Sequence, residues 1–154
     1  MCELLYLKQR HNHRIPRFRI RDAVTTLQDG SMSNSDGFGA FNRHGRIFRT
    51  EEALHDLDIE EVVNMLYGSK ELVLHIRAST RGSVCRENSH PFTADDAVLA
   101  HNGTMQHVHE YGSNDDVDSR RFLLKVQDAD GSTATERLKN ALADTKGWLS
   151  IFYR

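Results

Sequence analysis

The sequence predicts a layered fold that mixes strands and helices, α/β or α+β, and three observations carry that expectation. At 154 residues the chain has the length of one domain and can bury a single core. Continuous apolar runs of strand length, Leu72 to Ile76 and Ala97 to Ala100, alternate along the chain with segments of helical periodicity. With only two prolines and no repeat or linker-like stretch, nothing divides the chain, so one domain over residues 1–154 is expected.

The elements follow in order. Cys2 to Leu7 is mostly apolar with few breakers and reads as a buried strand. Gln9 to Arg21 holds five arginines, two histidines and Pro16, which fits a loop leading into a helix over about Phe18 to Leu27. Gly30 to Asp36 is rich in turn formers and should be an exposed loop. Phe38 to Phe48 predicts a hairpin with Arg43-His44-Gly45 at its turn. Thr50, followed by Glu51 and Glu52, predicts a helix start, and the apolar positions continue to about Tyr67 before Gly68 ends the run. Leu72 to Ile76 and Ala97 to Ala100 are buried strands, the second leading into His101-Asn102-Gly103. Val117 to Val126 and Ala134 to Ala143 fit amphipathic helices, and Trp148 to Tyr153 a final strand.

Charge and composition narrow the function classes. Twenty Lys and Arg against 22 Asp and Glu leave a net charge of -2, so no overall positive field draws the chain to nucleic acid or an anionic membrane. No apolar stretch reaches membrane-spanning length and the N-terminus has no secretion-signal pattern, so a cytosolic protein is expected. The pairs His11-x-His13 and His107-x-His109 have no third ligand at a zinc-like spacing, so neither a metal nor another cofactor is expected. Two cysteines, Cys2 and Cys85, are too few for a disulfide scaffold.

Cys2 is distinguished by position. A small second residue lets the initiator methionine be removed, and the freed α-amine, with an ordinary pKa of about 7.7 to 8.0, can serve as base for its own thiol. Three further clusters sit at strand ends: Asp36-Gly37-Phe38-Gly39, Arg77 to Gly82, and His101-Asn102-Gly103. Arg77, leaving an apolar strand, needs an anion, either a structural carboxylate or a substrate carboxylate. Asn102-Gly103 fits a tight turn or an oxyanion-binding donor pair. Asp118 fits a helix cap, a first-turn acid or a ligand.

Together these motifs resemble a family. Met1-Cys2-Glu3-Leu4-Leu5, Asp36-Gly37-Phe38-Gly39, His75-Ile76-Arg77-Ala78 with Arg81-Gly82, Glu87-Asn88-Ser89-His90-Pro91-Phe92 and Ala100-His101-Asn102-Gly103 occur in the order seen in class-II, N-terminal-nucleophile (Ntn) glutamine amidotransferases, nearest to their stand-alone branch. The resemblance implies an α+β fold, the four-layer αββα sandwich of Ntn hydrolases, here in a compact or C-terminally short version. It implies that Cys2 attacks the glutamine side-chain amide, Asn102 and Gly103 form the oxyanion hole, and Arg77, Thr80 and Asp118 bind the substrate, with Asp115 and Asp116 as alternatives to Asp118. The family often has His where this chain has Arg81, and Ser or Thr where it has Val117; Arg81 receives no role. The implied activity is a glutaminase that forms a thioester and passes ammonia to a separate synthase subunit. Hydrolysis of γ-glutamyl amide or peptide bonds, or a non-catalytic binding module, are the alternatives, and a homo-oligomer remains open.

Overall fold

The protein is described by a computed structural model covering residues 2–10, 13–42, 44–94, 97–113 and 116–153, with side chains followed to residue 145. Met1, His11, Arg43 and Asp115, singled out in the sequence, lie outside the described residues. The first sheet contains β1 (Glu3–Lys8), β2 (Phe38–Asn42), β3 (Ile47–Thr50) and β4 (Glu71–Ile76), in the order β1-β4-β2-β3 with antiparallel neighbours. The second contains β5 (Phe92–Ala94), β6 (Ala97–Gln106) and β7 (Lys146–Tyr153), in that order and also antiparallel. Helices α1 (Arg17–Ser31) and α2 (Ile59–Leu66) cover one sheet, and α3 (Asp118–Asp128) and α4 (Ala134–Leu142) the other.

Strand periodicity sorts the side chains into layers. Leu72, Leu74 and Ile76 of β4, with Phe38 and Ala40 of β2, point to α1 and α2, where Ile20, Val24, Leu27, Val62 and Val63 meet them. Each such fully buried aliphatic contributes about 1.5 to 3 kcal/mol. Leu99 and Met105 of β6 pack in the same way on Phe122, Leu123 and Val126 of α3. The alternate positions, Leu4, Phe41 and Val73 against Val98 and Ala100, form a thin third cluster between the sheets. The result is the α+β four-layer αββα sandwich, with one core on each side of a narrow central seam.

The structure corrects several element boundaries. Thr50 ends β3 and does not start a helix; its hydroxyl accepts from Glu52 N–H, and Leu54–Asp56 forms a single 3₁₀ turn. α2 begins nine residues after Thr50, at Ile59, because Asp58 is its cap: the carboxylate accepts from Glu61 N–H at 3.0 Å. β5 was not expected, since three residues are too few to show periodicity. β6 runs to Gln106, so His101-Asn102-Gly103 is strand and not a tight turn, held by pairing with β7 along its length. His107 and His109 fall beyond that strand, in a loop where His107 takes a φ of 61°.

Part of the basic segment is used in packing. Arg17 and Arg21 of α1 both reach Glu60 of α2, and Arg17 also lies over the Tyr67 ring. These contacts fasten one helix to the next, while Arg10, Arg14 and Arg19 are exposed.

The seam is narrow because β2 carries glycine where it faces inward. A Cβ on Gly39 would collide with the backbone carbonyl of His90, and Gly37, at φ +129°, has no room beside the Ser89 hydroxyl. Gly39→Ala must therefore push the segment of residues 89–90 off the sheet. We expect a loss of about 2 kcal/mol or more in urea unfolding; Gly45→Ala, where a Cβ meets nothing and only the φ of +79° opposes a side chain, should cost less, about 1 kcal/mol.

Candidate active site

The same alternation that builds the seam brings the candidate residues together. On β1 and its approach, Cys2 shares the inward face of Leu4; on β4, His75 and Arg77 share the inward face of Val73; on β6, Asn102 shares that of Ala100. Because Glu3 pairs with Ile76, the residues before and after them, Cys2 and Arg77, come out at the same end of the sheet. A cavity of about 380 Å³ opens there, lined by Cys2, Arg77, Thr80, Asn102, Gly103 and Asp118 among others. Every site residue singled out in the sequence and retained as the first choice borders this one space.

Cys2 is half-buried and seated on the backbone of Ala78, whose N–H donates to Sγ at 3.3 Å, while Sγ lies 3.5 Å from its carbonyl. Behind it, Glu3 points the other way, accepting from Asn34 at the end of α1. The start of β1 is thereby pinned on both faces.

Arg77 is buried at 3% exposure and its guanidinium is wrapped by the loop that follows it. Nη1 donates to the Ser83 carbonyl at 3.0 Å, and Nη2 to Ser79 Oγ and the Arg81 carbonyl, both at 3.1 Å. Burial presses Arg77 below its ordinary value, and the nearby Asp36, Cys2 and Cys85 oppose that shift. Asp36 is tied in turn, accepting from Ser79 N–H at 2.6 Å, with its own N–H donated to the Arg77 carbonyl. Asn88 closes the ring by donating to the Ser83 carbonyl at 3.1 Å. Asp36, Ser83 and Asn88 hold the site although the sequence reading gave them no task; for Asp36 and Asn88 their membership in the recurring motifs was the available signal, and Ser83 had none.

Across the cavity, Asn102 and Gly103 stand side by side on β6, opposite Ser150 and Leu149 of β7. Among the described residues Asn102 Oδ1 is buried without a hydrogen-bond partner, and Gly103 has a φ of 136° that only glycine adopts easily. Asp118 is the first residue of α3, with Val117 as its cap, so it is a first-turn acid. Its carboxylate accepts from Met105 N–H at 2.7 Å and Ser119 N–H at 2.8 Å, bolting α3 to β6. Thr80 is exposed at the rim. Asp116, the neighbouring alternative, is engaged by Ser113 and Arg120 and borders an adjoining polar cleft instead.

Two buried imidazoles, His75 and His90, form the floor of the site, and a third, His101, is buried on the α3 side of β6. His75 and His90 stack with ring centroids 4.1 Å apart; His75 Nε2 donates to the His101 carbonyl at 3.1 Å, and His101 Nδ1 meets Ser119 Oγ at 2.8 Å. Cys85 sits outside this floor, its sulfur 3.5 Å from Ser83 Oγ. Among the described residues no group of His, Cys, Asp and Glu is arranged to hold a metal ion, and no helix is long and apolar enough to cross a membrane.

Sheets stacked face to face between helices, with a cysteine at the head of an inward-facing strand, define an Ntn-type amidotransferase domain. The family model of class-II glutamine amidotransferases matches residues 1–141, and the chain belongs to that family of enzymes. It is 33% identical over 132 residues to a Haemophilus influenzae protein named "Putative glutamine amidotransferase", covering 77% of this chain and 42% of that protein. The fold is shared with the glutamine phosphoribosylpyrophosphate amidotransferase of B. subtilis, at a TM-score of 0.66 and 16% identity. It is also shared with a structure described as the allosteric regulatory enzyme of purine biosynthesis, at a TM-score of 0.72 and 16% identity. Both cover all of this chain and 35% of theirs, so the chain spans well under half the length of the relatives it matches.

The imidazole floor gives the domain an acid limit. Burial holds His75 down to about 3 and His90 well below its ordinary value, so both stay neutral when folded. Unfolded, each takes up a proton once the pH falls below about 6.5, so the unfolded chain binds more protons and stability falls from there toward pH 3. Each contributes about 1.4 kcal/mol per pH unit within that window. The urea midpoint should drop between pH 7 and pH 5; a midpoint that stays level would show that these imidazoles are not held neutral.

Proposed function

We propose that the chain is a glutaminase domain that cleaves the side-chain amide of L-glutamine through a thioester on Cys2 and delivers the ammonia to a separate synthase protein. The observation that carries this reading is the meeting of Cys2, Arg77, Thr80, Asn102, Gly103 and Asp118 around one cavity. An arginine and an aspartate on the cavity wall match the α-carboxylate and α-ammonium of an amino acid; fixing both leaves the amide free to reach the thiol. With Met1 removed, the α-amine of Cys2 takes the thiol proton and sulfur bonds to the amide carbon. Asn102 and the Gly103 N–H donate to the oxygen as it becomes anionic. Collapse breaks the C–N bond, the α-amine returns its proton to the departing nitrogen, and ammonia leaves. Water then adds to the thioester carbon, its proton passing by way of the amine to sulfur as the C–S bond breaks, and glutamate is released. The domain works as a single unit in the cytoplasm.

The thiol assignment is tested by incubating the purified protein with a glutamine-analogue diazoketone and mapping the labelled peptide. Label on Cys2 is expected; label on Cys85 alone, or on neither cysteine, would sink the assignment. Cys2→Ala should lower ammonia release on the order of a thousandfold or more, and Arg77→Ala should raise the KM for glutamine about tenfold or more. The intact mass should lack Met1, because a retained methionine removes the base from the nucleophile.

A further inference from the structure

A group of arginines outside the active site gathers where β3 meets the second layer. β3 is the outermost strand of its sheet, and Arg49 pairs with Gly39 of β2, so its side chain lies on the face turned toward the other sheet. It borders a cleft of about 240 Å³ with Glu87, Thr93 and Arg120, against an apolar wall that includes Phe92 and Leu123. None of these residues lines the active-site cavity or the polar cleft beside it.

Arg49 is half-buried and its side chain makes no hydrogen bond or ion pair among the described residues, although a guanidinium carries five N–H donors. Burial presses it below its ordinary value and Arg86 presses it further; Glu87 opposes the shift, and Arg120 adds to it. Glu87 lines the same cleft but does not close on Arg49 as an ion pair, so this is not a finished salt bridge. Arg120 gives one nitrogen to Asp116 at 3.3 Å, and the Arg86 side chain is exposed with no such partner among the described residues. The buried guanidinium of Arg77 has its hydrogens received by the loop around it; that of Arg49 does not. Three guanidiniums gathered at a cleft, two of them with their side-chain donors unspent, repel one another as they stand and are stabilised once an anion lies among them.

We propose that this cleft binds a phosphate monoester, with Arg49 receiving the phosphate, Arg86 and Arg120 adding their charge, and the organic group laid on Phe92 and Leu123. A carboxylate brings two oxygens and one charge, which a single guanidinium satisfies. Two open guanidiniums with a third beside them match the three terminal oxygens and nearly double charge of a phosphate ester. The cleft is walled by β3 of one sheet and by α3 against the other, so the bound ester ties the two halves of the sandwich together. The proposal stands apart from the glutaminase reading, since it uses none of the residues given a part in that reaction.

Calorimetric titration of the purified protein with phenyl phosphate and with inorganic phosphate, in chloride buffer at matched ionic strength, tests the site. Phenyl phosphate should bind, and about tenfold tighter than inorganic phosphate, because its ring buries apolar area. Arg49→Gln should weaken phenyl phosphate about tenfold or more and Arg86→Gln about threefold or more, while Glu87→Gln, which removes the opposing charge, should strengthen it. The circular dichroism of Arg49→Gln should match the parent's; if that variant fails to fold, Arg86→Gln decides in its place. No binding of phenyl phosphate at millimolar concentration, equal affinity for the two phosphates, or equal affinity in the parent and the Arg49→Gln variant overturns the site. Binding that is lost in Arg81→Gln and kept in Arg49→Gln puts the anion in the polar cleft and overturns it as well.

Discussion

The close approach of the His90 carbonyl to Gly39 is the constraint on which the rest of the molecule depends. Two sheets normally pack about 10 Å apart with side chains filling the gap. Here Gly39 of β2 and Gly37 just before it let the segment leading into β5 lie against the first sheet, and the imidazoles of His75 and His90 stack in the space. The His75 bond to the His101 carbonyl then fixes β4 against β6. Cys2 and Arg77 on one sheet, and Asn102 and Gly103 on the other, are set at their separation by these contacts and not by any contact among themselves.

The electrostatics of the pocket follow from one buried cation. A guanidinium at 3% exposure is costly unless its hydrogens are received, and the loop after β4 folds back to supply Ser79, Arg81 and Ser83 as acceptors. Asp36 provides the opposing charge and holds the loop by the Ser79 N–H. The Asp36-Gly37-Phe38-Gly39 motif thus does two things in four residues: the acid balances Arg77, and the glycines admit the opposite sheet.

Much of this was legible in the sequence where the physical signal is local and strong. Apolar runs located β4, β6 and β7, and helical periodicity located α1, α3 and α4. What misled was competition between signals. Thr50 with two acids after it looks like a helix start, yet Asp58 stands closer to the apolar residues that the helix must bury. Asn-Gly looks like a turn, yet pairing with β7, a partner dozens of residues away, holds it in a strand. The site was legible through motifs and not through periodicity: Cys2, Arg77 and Asn102 are ordinary residues until the strands bring their inward faces together. The tasks of Ser83, Asn88 and His90 could not be read at all, because each depends on a carbonyl or a ring that only the folded chain places nearby.

The pairing of β6 with β7 has a kinetic consequence. Asn102 and Gly103 owe their place to Ser150 and Leu149, while Cys2 owes its place to Ala78 and the strand pairing of β1 with β4. Both are long-range closures, and antiparallel sheets made of such contacts pay their chain entropy before they gain their contacts. The two walls of the cavity face each other only once both closures are made. A chain in which either closure is open therefore exposes the cysteine without its pocket.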